Sequence, residues 1–580
     1  MKFAVIDLET TGDQPSDEII QVGLVIIEQK RITDRYHTYV KPRRPIPDWI
    51  TRLTGISDDT VRDAPGIGAV LAELMPKLAG TVLVAHNAAF DASFLQRACE
   101  WQGVAPFSGR IVDTVPLLRM LFPSLTSLQL SMASAQLGIR HERPHQADHD
   151  AEATAHLFLR CIDRFGELPL LTVQKIAQLF EQDSGDFAWF VRQMAEEKER
   201  FTVLDPDNGR YFRQLVLNVG DWDDEKPARE NGQPMPDADS FESFYETVKR
   251  NLRERLAVFE EREAQEQMIR EVEASFESNG HLLIEAGTGT GKTLAYLIPS
   301  LYYGIRENKK IVVSTHTINL QEQLRQRDIP LLQAIFPVPF RASVLKGRNH
   351  YLCLRKFEQK LQYGDFANGF DDKITAAQLI VWLSETKTGD DEEIPMHGRS
   401  QEFWQTVASD TDSCLNRACP WFKKCFYHRA RHEANIADVV ITNHSLLFTD
   451  VQAENRLLPS YKHLVVDEAH QFEEAASKHF GLELHYAALT NTLLWLYKDA
   501  KTGKLPQLSQ HVQRVADEQS DRWKSVIDEI VARIVKIKED WDKLSDFLYQ
   551  FVSERGDGGD AGQYVVRVKP DTLPKQWELL

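Results

Sequence analysis

Residues 3–12 read FAVIDLETTG, and this stretch decides the fold of the first part of the chain. Its first four residues are apolar, as in a buried strand, and two carboxylates, Asp7 and Glu9, follow at alternate positions. Side chains two residues apart on a strand project from the same face. Two carboxylates on one face repel each other unless a cation lies between them. The stretch therefore predicts a strand that ends in a cation site.

Two later segments supply further ligands of the same kind. Residues 86–91 read HNAAFD and place Asp91 at the start of a predicted helix, and residues 145–150 read HQADHD and place Asp150 in the same way. Oxygen ligands in this number suit hard divalent ions, and two such ions can clamp the attacking and leaving oxygens of a phosphodiester. His145 titrates in the range that suits a general base toward a metal-bound water.

The order of these three motifs within 150 residues resembles the DEDDh exonuclease family, which includes the proofreading subunit of bacterial replicative polymerases. Residues 53–56, LTGI, add to the resemblance. It implies a ribonuclease-H-like fold over residues 1–165 and removal of nucleotides from 3′ ends. A degenerate domain that keeps only the fold is the alternative. The implied site has two Mg²⁺ or Mn²⁺ ions held by Asp7, Glu9, Asp91 and Asp150, with His145 as the base.

A second motif indicates nucleotide binding. Residues 282–293 read LLIEAGTGTGKT, which predicts a buried strand over 281–285, a glycine-rich turn and the start of a helix. Backbone amides at such a turn cradle phosphates, Lys292 reaches the β- and γ-oxygens, and Thr293 ligates magnesium. The predicted nucleotide-binding residues are Gln265, Ala286, Gly287, Thr288, Gly289, Thr290, Gly291, Lys292, Thr293 and Asp467.

Residues 464–470 read LVVDEAH, an apolar strand that runs into two carboxylates. Asp467 is placed to hold the magnesium shell and Glu468 to polarise the attacking water. The segment resembles a DEAH-type Walker B motif, and residues 262–268, with Gln265, resemble an adenine-reading Q motif. The order resembles superfamily-two motors related to XPD, which implies a RecA-like lobe that binds ATP with Mg²⁺.

Four cysteines lie between the two ATP motifs, separated by 60, four and five residues. Thiolates at such spacing hold zinc or an iron–sulfur cluster, and inert thiols are a further alternative. The segment 346–353, KGRNHYLC, looks like the XPD and DinG helicases, which place a [4Fe–4S] domain here, and the resemblance implies such a cluster. Its ligands would be Cys353, Cys414, Cys419 and Cys425.

Basic and aromatic residues surround these cysteines and suit stacking on single-stranded nucleic acid. Buried core aromatics with a solvated helix face are the alternative interpretation. The residues are Trp421, Phe422, Lys423, Lys424, Phe426, Tyr427, Arg429 and Arg431.

Together these features resemble the DinG family in its nuclease-bearing form. The predicted fold class is α/β: a ribonuclease-H-like exonuclease domain, then a RecA-like P-loop lobe with a cysteine-rich insertion and a helical C-terminal segment. The predicted boundaries are 1–165 for the exonuclease domain, 166–257 for a connecting region, 258–345 with 435–480 for the ATP-binding lobe, 346–434 for the insertion, and 481–580 for an incomplete arch-like segment.

Two functions follow from this organisation. The first is a metal-dependent 3′→5′ exonuclease acting on single-stranded DNA ends, with RNA as the alternative substrate, and with an ATP-binding lobe that regulates or positions it. The second is a fragment of an ATP-dependent DNA helicase in which the nuclease is auxiliary. Only 110 residues follow His470, and they contain no second-lobe motif of the Gln-x-x-Gly-Arg-x-x-Arg type. A non-catalytic nucleic-acid scaffold is a third option, which the complete acidic set disfavours.

Composition limits the partners. The chain has 580 residues, with 68 Lys and Arg against 86 Asp and Glu, a net charge of −18. Such a charge repels a polyanion, so nucleic-acid binding requires local basic groups or metal ions. No apolar run is long enough to span a membrane, which predicts a cytoplasmic protein without a membrane partner. The oligomeric state is left open.

Overall fold

The structure is a computed structural model that describes residues 1–201, 211–222, 240–255, 260–287, 289–364, 366–481, 485–515 and 519–555. The chain divides into two compact units, Met1–Ala475 and Ala476–Leu580. In the described part, no helix is both long and apolar enough to cross a membrane.

The first domain is built on a five-stranded mixed sheet in the order β3-β2-β1-β4-β5. The central strand β1 pairs antiparallel with β2 and parallel with β4. This is the ribonuclease-H-like arrangement, so the predicted fold class is confirmed for this domain. The strands are β1 (Lys2–Thr10), β2 (Ile19–Glu28), β3 (Arg31–Tyr39), β4 (Val82–Ala85) and β5 (Ile111–Asp113).

Helices cover both faces of this sheet. Successive side chains of β1 point to opposite faces and are apolar on both, so each face needs a covering layer. Phe3 and Val5 pack on one face with Phe158, whereas Ile6 and Leu8 pack on the other face. The helices are α1 (Asp48–Thr54), α2 (Ile67–Leu78), α3 (Ala88–Gln102), α4 (Thr114–Leu121), α5 (Leu130–Gln136), α6 (Ala147–Glu167), α7 (Leu170–Leu179) and α8 (Asp186–Phe201).

Residues 166–257, predicted as a connecting region, contain folded elements in their described part. Helices α7 and α8 pack on the first domain, where the Phe190 ring lies 6.3 Å from that of Phe3. The described elements that follow α8 are β6 (Tyr211–Phe212), β7 (Leu215–Val216) and α9 (Phe241–Arg255).

The second sheet is parallel, in the order β11-β8-β10-β9, as in a RecA-like lobe. The cysteine-rich insertion lies between β9 and β10. In chain order the elements are α10 (Glu263–Glu277), α11 (Lys292–Glu307), β8 (Ile311–Thr315), α12 (Ile318–Gln323), α13 (Ile329–Ile335), β9 (Ala342–Val344), α14 (Leu354–Tyr363), α15 (Phe370–Leu383), α16 (Ser400–Val407), α17 (Phe426–Ile436), β10 (Val439–Asn443), α18 (His444–Gln452), β11 (His463–Val466) and α19 (Phe472–Phe480).

The prediction of a buried strand over residues 281–285 is wrong. These described residues form no strand, and the Leu283 side chain is 90% exposed. An apolar run predicts burial, but a strand also needs a neighbouring strand to which it forms hydrogen bonds. The edge strand β11 pairs only with β8, so residues 281–285 are not joined to this sheet. The phosphate loop therefore follows an irregular segment instead of a strand.

The insertion packs directly against the first domain. Helix α15 lies against α4 and α7, and residues of all three belong to one hydrophobic core. Arg119 of α4 is 8% exposed and crosses this interface, where it donates to Asp371 Oδ1 at 2.5 Å, Thr375 Oγ1 at 2.5 Å and Ser400 Oγ at 2.6 Å. A buried arginine with three partners fixes the position of the two parts relative to each other.

The second unit is helical and consists, in its described part, of α20 (Tyr486–Leu496), α21 (Lys504–Val515) and α22 (Ser520–Arg555). This agrees with the helical C-terminal segment predicted from the sequence. Ile527 and Ile534 of α22 are buried against α20 and α21, whereas Val526 and Ile530 are each 40% exposed. Part of the apolar pattern of α22 therefore faces outward within this unit.

Candidate functional site

The end of β1 and the first turn of α3 bring three predicted ligands together. The backbone N–H of Leu8, between Asp7 and Glu9, donates to Asp91 Oδ1 at 3.0 Å. Asp91 is only 3% exposed. Asp113, the last residue of β5, fixes the start of α3 because its carboxylate accepts the backbone N–H groups of Asn87 and Ala88 at 3.1 and 3.0 Å.

Helix α6 supplies the fourth carboxylate. Glu9, His145 and Asp150 each place a potential ligand atom within 4.8 Å of the others. His145 is exposed and has a left-handed backbone (φ 65°), and its N–H donates to Asp150 Oδ2 at 3.1 Å. The turn before α6 thus directs the histidine toward the carboxylates while leaving it open to solvent.

The electrostatics of this cluster show that the carboxylates are close together. Burial raises the pKa of Asp7 well above its ordinary value, and repulsion from Asp91, Asp150 and Glu9 raises it further. Burial and repulsion from Asp150 raise the pKa of Glu9 to about 7. Burial also raises the pKa of Asp91 to about 8, against the lowering effect of the Leu8 N–H. Carboxylates that destabilise one another in this way suit a divalent cation, which removes the repulsion.

Strand β2 fixes the position of α6. Gln21 lies opposite Glu9 in the sheet and is 1% exposed, and its Oε1 accepts the N–H of Ala147 at 3.0 Å. Gly23 lies opposite Asp7, and a Cβ atom at this position would overlap the carbonyl group of Ala147. Only glycine allows the helix to approach the strand so closely, and this approach carries Asp150 to the site.

His141 also belongs to this site, although it was not predicted from the sequence. Its Nε2 lies 2.5 Å from Asp150 Oδ1, and its side chain is 5% exposed. A carboxylate held by a second histidine is restricted to one orientation. The sequence does place His141 four residues before His145. Residues 141–146 form neither a helix nor a strand, so no periodic pattern indicates which of their side chains face the site.

The second set of predicted residues meets at the start of α11. Lys292 Nζ donates to Glu468 Oε1 at 3.3 Å, and Tyr296 OH donates to Asp467 Oδ2 at 3.1 Å. Lys292, at the start of α11, therefore lies beside the acidic pair that was predicted to hold magnesium and the attacking water. Tyr296 was not predicted, and burial together with Asp467 raises its pKa.

The glycine-rich turn has the backbone that such a loop requires. Gly289 and Gly291 have φ of 79° and 82°, which glycine adopts without strain. Gln265 Nε2 donates to the carbonyl of Gly291 at 3.0 Å, so the predicted adenine-reading residue contacts the loop itself. Ala286, Gly287 and Thr290 lie in or next to this turn, Thr293 is the second residue of α11, and Thr288 lies outside the described residues.

The four cysteines of the insertion line one cavity, between α14, α17 and the turns that precede α17. Among the described residues, only Glu9 with His145 and Asp150, and His350 with Asp391 and Glu392, bring three ligand atoms within 4.8 Å of one another. No three of the thiols are that close. Burial raises the pKa of Cys425 to about 11 and also raises that of Cys419.

Three of the four aromatic residues beside the cysteines are buried, and the fourth, Phe422, is half-buried. Trp421, Phe426 and Tyr427 are between 0% and 6% exposed and belong to the hydrophobic core, and Lys424 forms an ion pair with Asp221 at 3.1 Å. Because these rings are buried, the alternative interpretation of core aromatics is the correct one for them.

Two family models match the chain. The model described as "Exonuclease" matches residues 4–158, and the model described as "Type III restriction enzyme, res subunit" matches residues 258–350. The first range contains the carboxylate cluster, and the second contains the phosphate loop.

The chain also matches curated relatives over most or all of its length. It is 34% identical to the 3′-5′ exonuclease DinG of Bacillus subtilis (strain 168) over 586 residues, which cover 100% of this chain and 61% of that protein. The chain is a homologue of these DinG proteins. The DinG of Staphylococcus epidermidis is 29% identical over 84% of this chain and 51% of its own length. The chain therefore spans about half to three fifths of these DinG relatives.

Solved structures match the first domain. Escherichia coli exonuclease I in complex with a dT13 oligonucleotide is 18% identical, with 29% of this chain and 42% of that chain covered and a TM-score of 0.27. The nuclease domain of 3′hExo, a DEDDh family member bound to rAMP, is 24% identical, with 28% and 92% covered and a TM-score of 0.26.

The close contact at Gly23 generates a first prediction. We expect Gly23→Ala to push α6 away from β2 and to reduce both Mn²⁺ affinity and exonuclease activity, the latter by about 100-fold, because misplacing a catalytic group by about 1 Å costs that much. Mn²⁺ titration and digestion of a labelled oligonucleotide measure these effects. Gly166→Ala is the matched control because a Cβ at Gly166, also in this domain, meets no neighbour. Equal activity of the two variants would contradict the role of Gly23.

The raised pKa values generate a second prediction, for metal-free protein. Glu9 and Asp91 hold their protons in the folded state up to pKa values of about 7 and 8, whereas the unfolded chain releases them near the ordinary values. The folded state binds more protons in this window, so its stability falls as the pH rises through it. The asparagine in Asp91→Asn cannot ionise. We therefore expect the melting temperature of this variant minus that of the natural protein, both in EDTA, to increase as the pH rises from about 5 to about 9. Adding Mg²⁺ should remove this advantage, and a pH-independent difference would disagree with the assignment.

Proposed function

We propose that this chain is a metal-dependent 3′→5′ exonuclease that shortens single-stranded nucleic acid, with DNA as the preferred substrate and RNA as the alternative. The observation that carries the proposal is the convergence of Asp7, Glu9, Asp91 and Asp150 beside an exposed His145. The names of the DinG relatives support the reaction and its direction.

The chain's own residues have separate roles in this reaction. Asp7, Glu9, Asp91 and Asp150 would hold two Mg²⁺ or Mn²⁺ ions, which would polarise the phosphodiester and activate water. His145, exposed at the edge of the cluster, would accept the proton of the attacking water. His141 and Gln21 act indirectly, since they hold Asp150 and the start of α6 in place.

We further propose that residues 258–345 and 435–480 form an ATP-binding lobe of the DEAH type. Support comes from the contact of Lys292 with Glu468 and from the left-handed Gly289 and Gly291. Lys292 and Thr293 would bind phosphate and Mg²⁺, and Asp467 and Glu468 would hold the magnesium shell and the water. The second candidate is a fragment of an ATP-dependent DNA helicase in which the nuclease is auxiliary.

The cysteine-rich insertion, residues 346–434, is proposed to hold a [4Fe–4S] cluster. Its four thiols line one cavity, which fits a group with four cysteine ligands. Thiolates bound to one zinc ion at about 2.3 Å would lie about 3.8 Å apart, whereas no three of these thiols lie within 4.8 Å of one another. Residues 1–165 would then act as the nuclease, 166–257 as the connection and 481–580 as an arch-like helical segment.

The nuclease proposal is tested by separating the two sites. We expect Asp7→Ala to abolish the Mg²⁺-dependent shortening of a 5′-labelled single strand, because it removes the carboxylate that interacts with all three of the others. Lys292→Ala serves as the control variant and should shorten the strand in the absence of ATP. If Lys292→Ala were as inactive as Asp7→Ala under these conditions, the two sites would not be separate.

The cluster proposal is tested by analysis of anaerobically purified protein. We expect a brown protein that contains iron and acid-labile sulfide, and we expect Cys419→Ser to lose both. Cys99→Ala, which changes a cysteine buried in the first domain, should retain both. Stoichiometric zinc without sulfide would overturn the assignment.

A further inference from the structure

A basic pocket lies in the first domain beside the loop that leaves β1 after Glu9. Its charged and exposed aromatic side chains are three cations, two carboxylates and one indole, and none of them has a role in the reaction proposed for the carboxylate cluster. They are Lys41, Arg43, Arg97, Asp17, Glu18 and Trp101.

Arg97 has unused hydrogen-bonding capacity in this pocket. Its Nε and Nη2 atoms are buried and have no partner, while its guanidinium lies 4.2 Å from the centre of the Phe94 ring. Buried donors without a partner are rare in folded proteins and cost free energy. A guanidinium presents parallel N–H groups whose geometry matches the oxygens of a phosphate, so an anion would satisfy both donors.

The remaining charges leave the pocket positive. Glu18 forms an ion pair with Arg43, whose Nε and backbone N–H groups donate to the Glu18 carboxylate at 3.1 and 2.8 Å. Asp17 accepts from Thr11 Oγ1 at 3.0 Å and from the N–H of Gln14 at 2.8 Å. Both carboxylates are therefore neutralised or bonded within the loop and do not compete for Arg97.

An aromatic ring completes the pocket. Trp101 is 44% exposed, and the guanidinium of Arg43 lies 5.1 Å from its ring centre. An exposed indole beside cations is the usual platform for a base of a single strand, because every base has a stacking face.

The pocket lies close to the carboxylate cluster. Asp91 and Arg97 are both on α3, six residues apart, which is about 9 Å along a helix axis. Asp17 and Glu18 belong to the loop that joins Glu9 to β2. A strand whose 3′ end lies at the carboxylates can therefore place an upstream nucleotide at this pocket.

We propose that this pocket is an upstream subsite for the substrate strand, in which Arg97 and Arg43 bind a backbone phosphate and Trp101 stacks on the adjacent base. The inference rests on the proposed exonuclease function and adds a site that positions the strand. Because a phosphate carries the interaction, DNA and RNA strands should both use it.

Binding measurements on an inactive protein test the subsite. Fluorescence anisotropy in an Asp7→Asn background, with DNA and RNA strands of one sequence, should show that Arg97→Gln weakens binding about tenfold. The slope of log affinity against log salt should fall by about 0.7, the value for one lost phosphate contact on a single strand. Arg31→Gln is the matched control, since Arg31 is exposed at the opposite end of β3 from this pocket and loses the same charge.

A second variant and a modified substrate make the test independent of folding defects. Arg43→Gln changes a side chain that is 68% exposed and should reduce the salt slope in the same direction. A neutral methylphosphonate moved along the strand should weaken binding of the parent at one upstream position and should have a smaller effect there in Arg97→Gln, in which only Arg43 still contacts that phosphate. Variants that all behave like Arg31→Gln would overturn the subsite. If the protein with Asp7 intact never shortened a strand, that result would instead refute the proposed function, while the salt slopes would still decide the subsite.

Discussion

The mutual repulsion of four carboxylates in a buried position is the constraint on which the first domain depends. Asp7 and Glu9 reach this position because β1 is the central strand, and Asp91 is held there by the N–H of Leu8. Bringing Asp150 to the same point requires a helix that nearly touches the sheet, which Gly23 permits. Burial and mutual repulsion raise the pKa values of Asp7, Glu9 and Asp91. A divalent cation bound between the carboxylates would remove this repulsion.

The insertion and the first domain form a continuous structure and not two separate modules. Helix α16 begins at Ser400, which accepts from Arg119, and ends at Val407, whose carbonyl accepts the N–H of Cys353 at 2.9 Å. Arg119 belongs to α4, and the residue that caps α4, Asp113, also holds the start of α3. A single path of packed elements therefore joins a cysteine of the insertion to the helix that carries Asp91.

The sequence predicts what depends on local pattern. The alternation in β1, the helices that begin beside Asp91 and Asp150 and the three acidic motifs could all be identified before the structure, because they depend on the order of residues within short segments. Features that depend on contacts between distant segments could not be predicted from the sequence. His141, Gln21 and Arg119 act through partners that only the fold brings to them, and the aromatic residues near the cysteines looked like a binding surface because burial is not visible in composition. The irregular segment at 281–285 shows the same limit, since apolar residues do not reveal whether a ladder partner is present.

Metal stoichiometry tests the central claim, that these four carboxylates hold two divalent ions, most directly. Titration of the nucleotide-free protein with Mn²⁺ should give two bound ions per chain, and both should be lost or strongly weakened in Asp7→Asn, because this carboxylate faces all three of the others. Lys292→Ala should bind the same two ions as the natural protein. Undiminished binding of two ions by Asp7→Asn would contradict the assignment of the cluster as the metal centre.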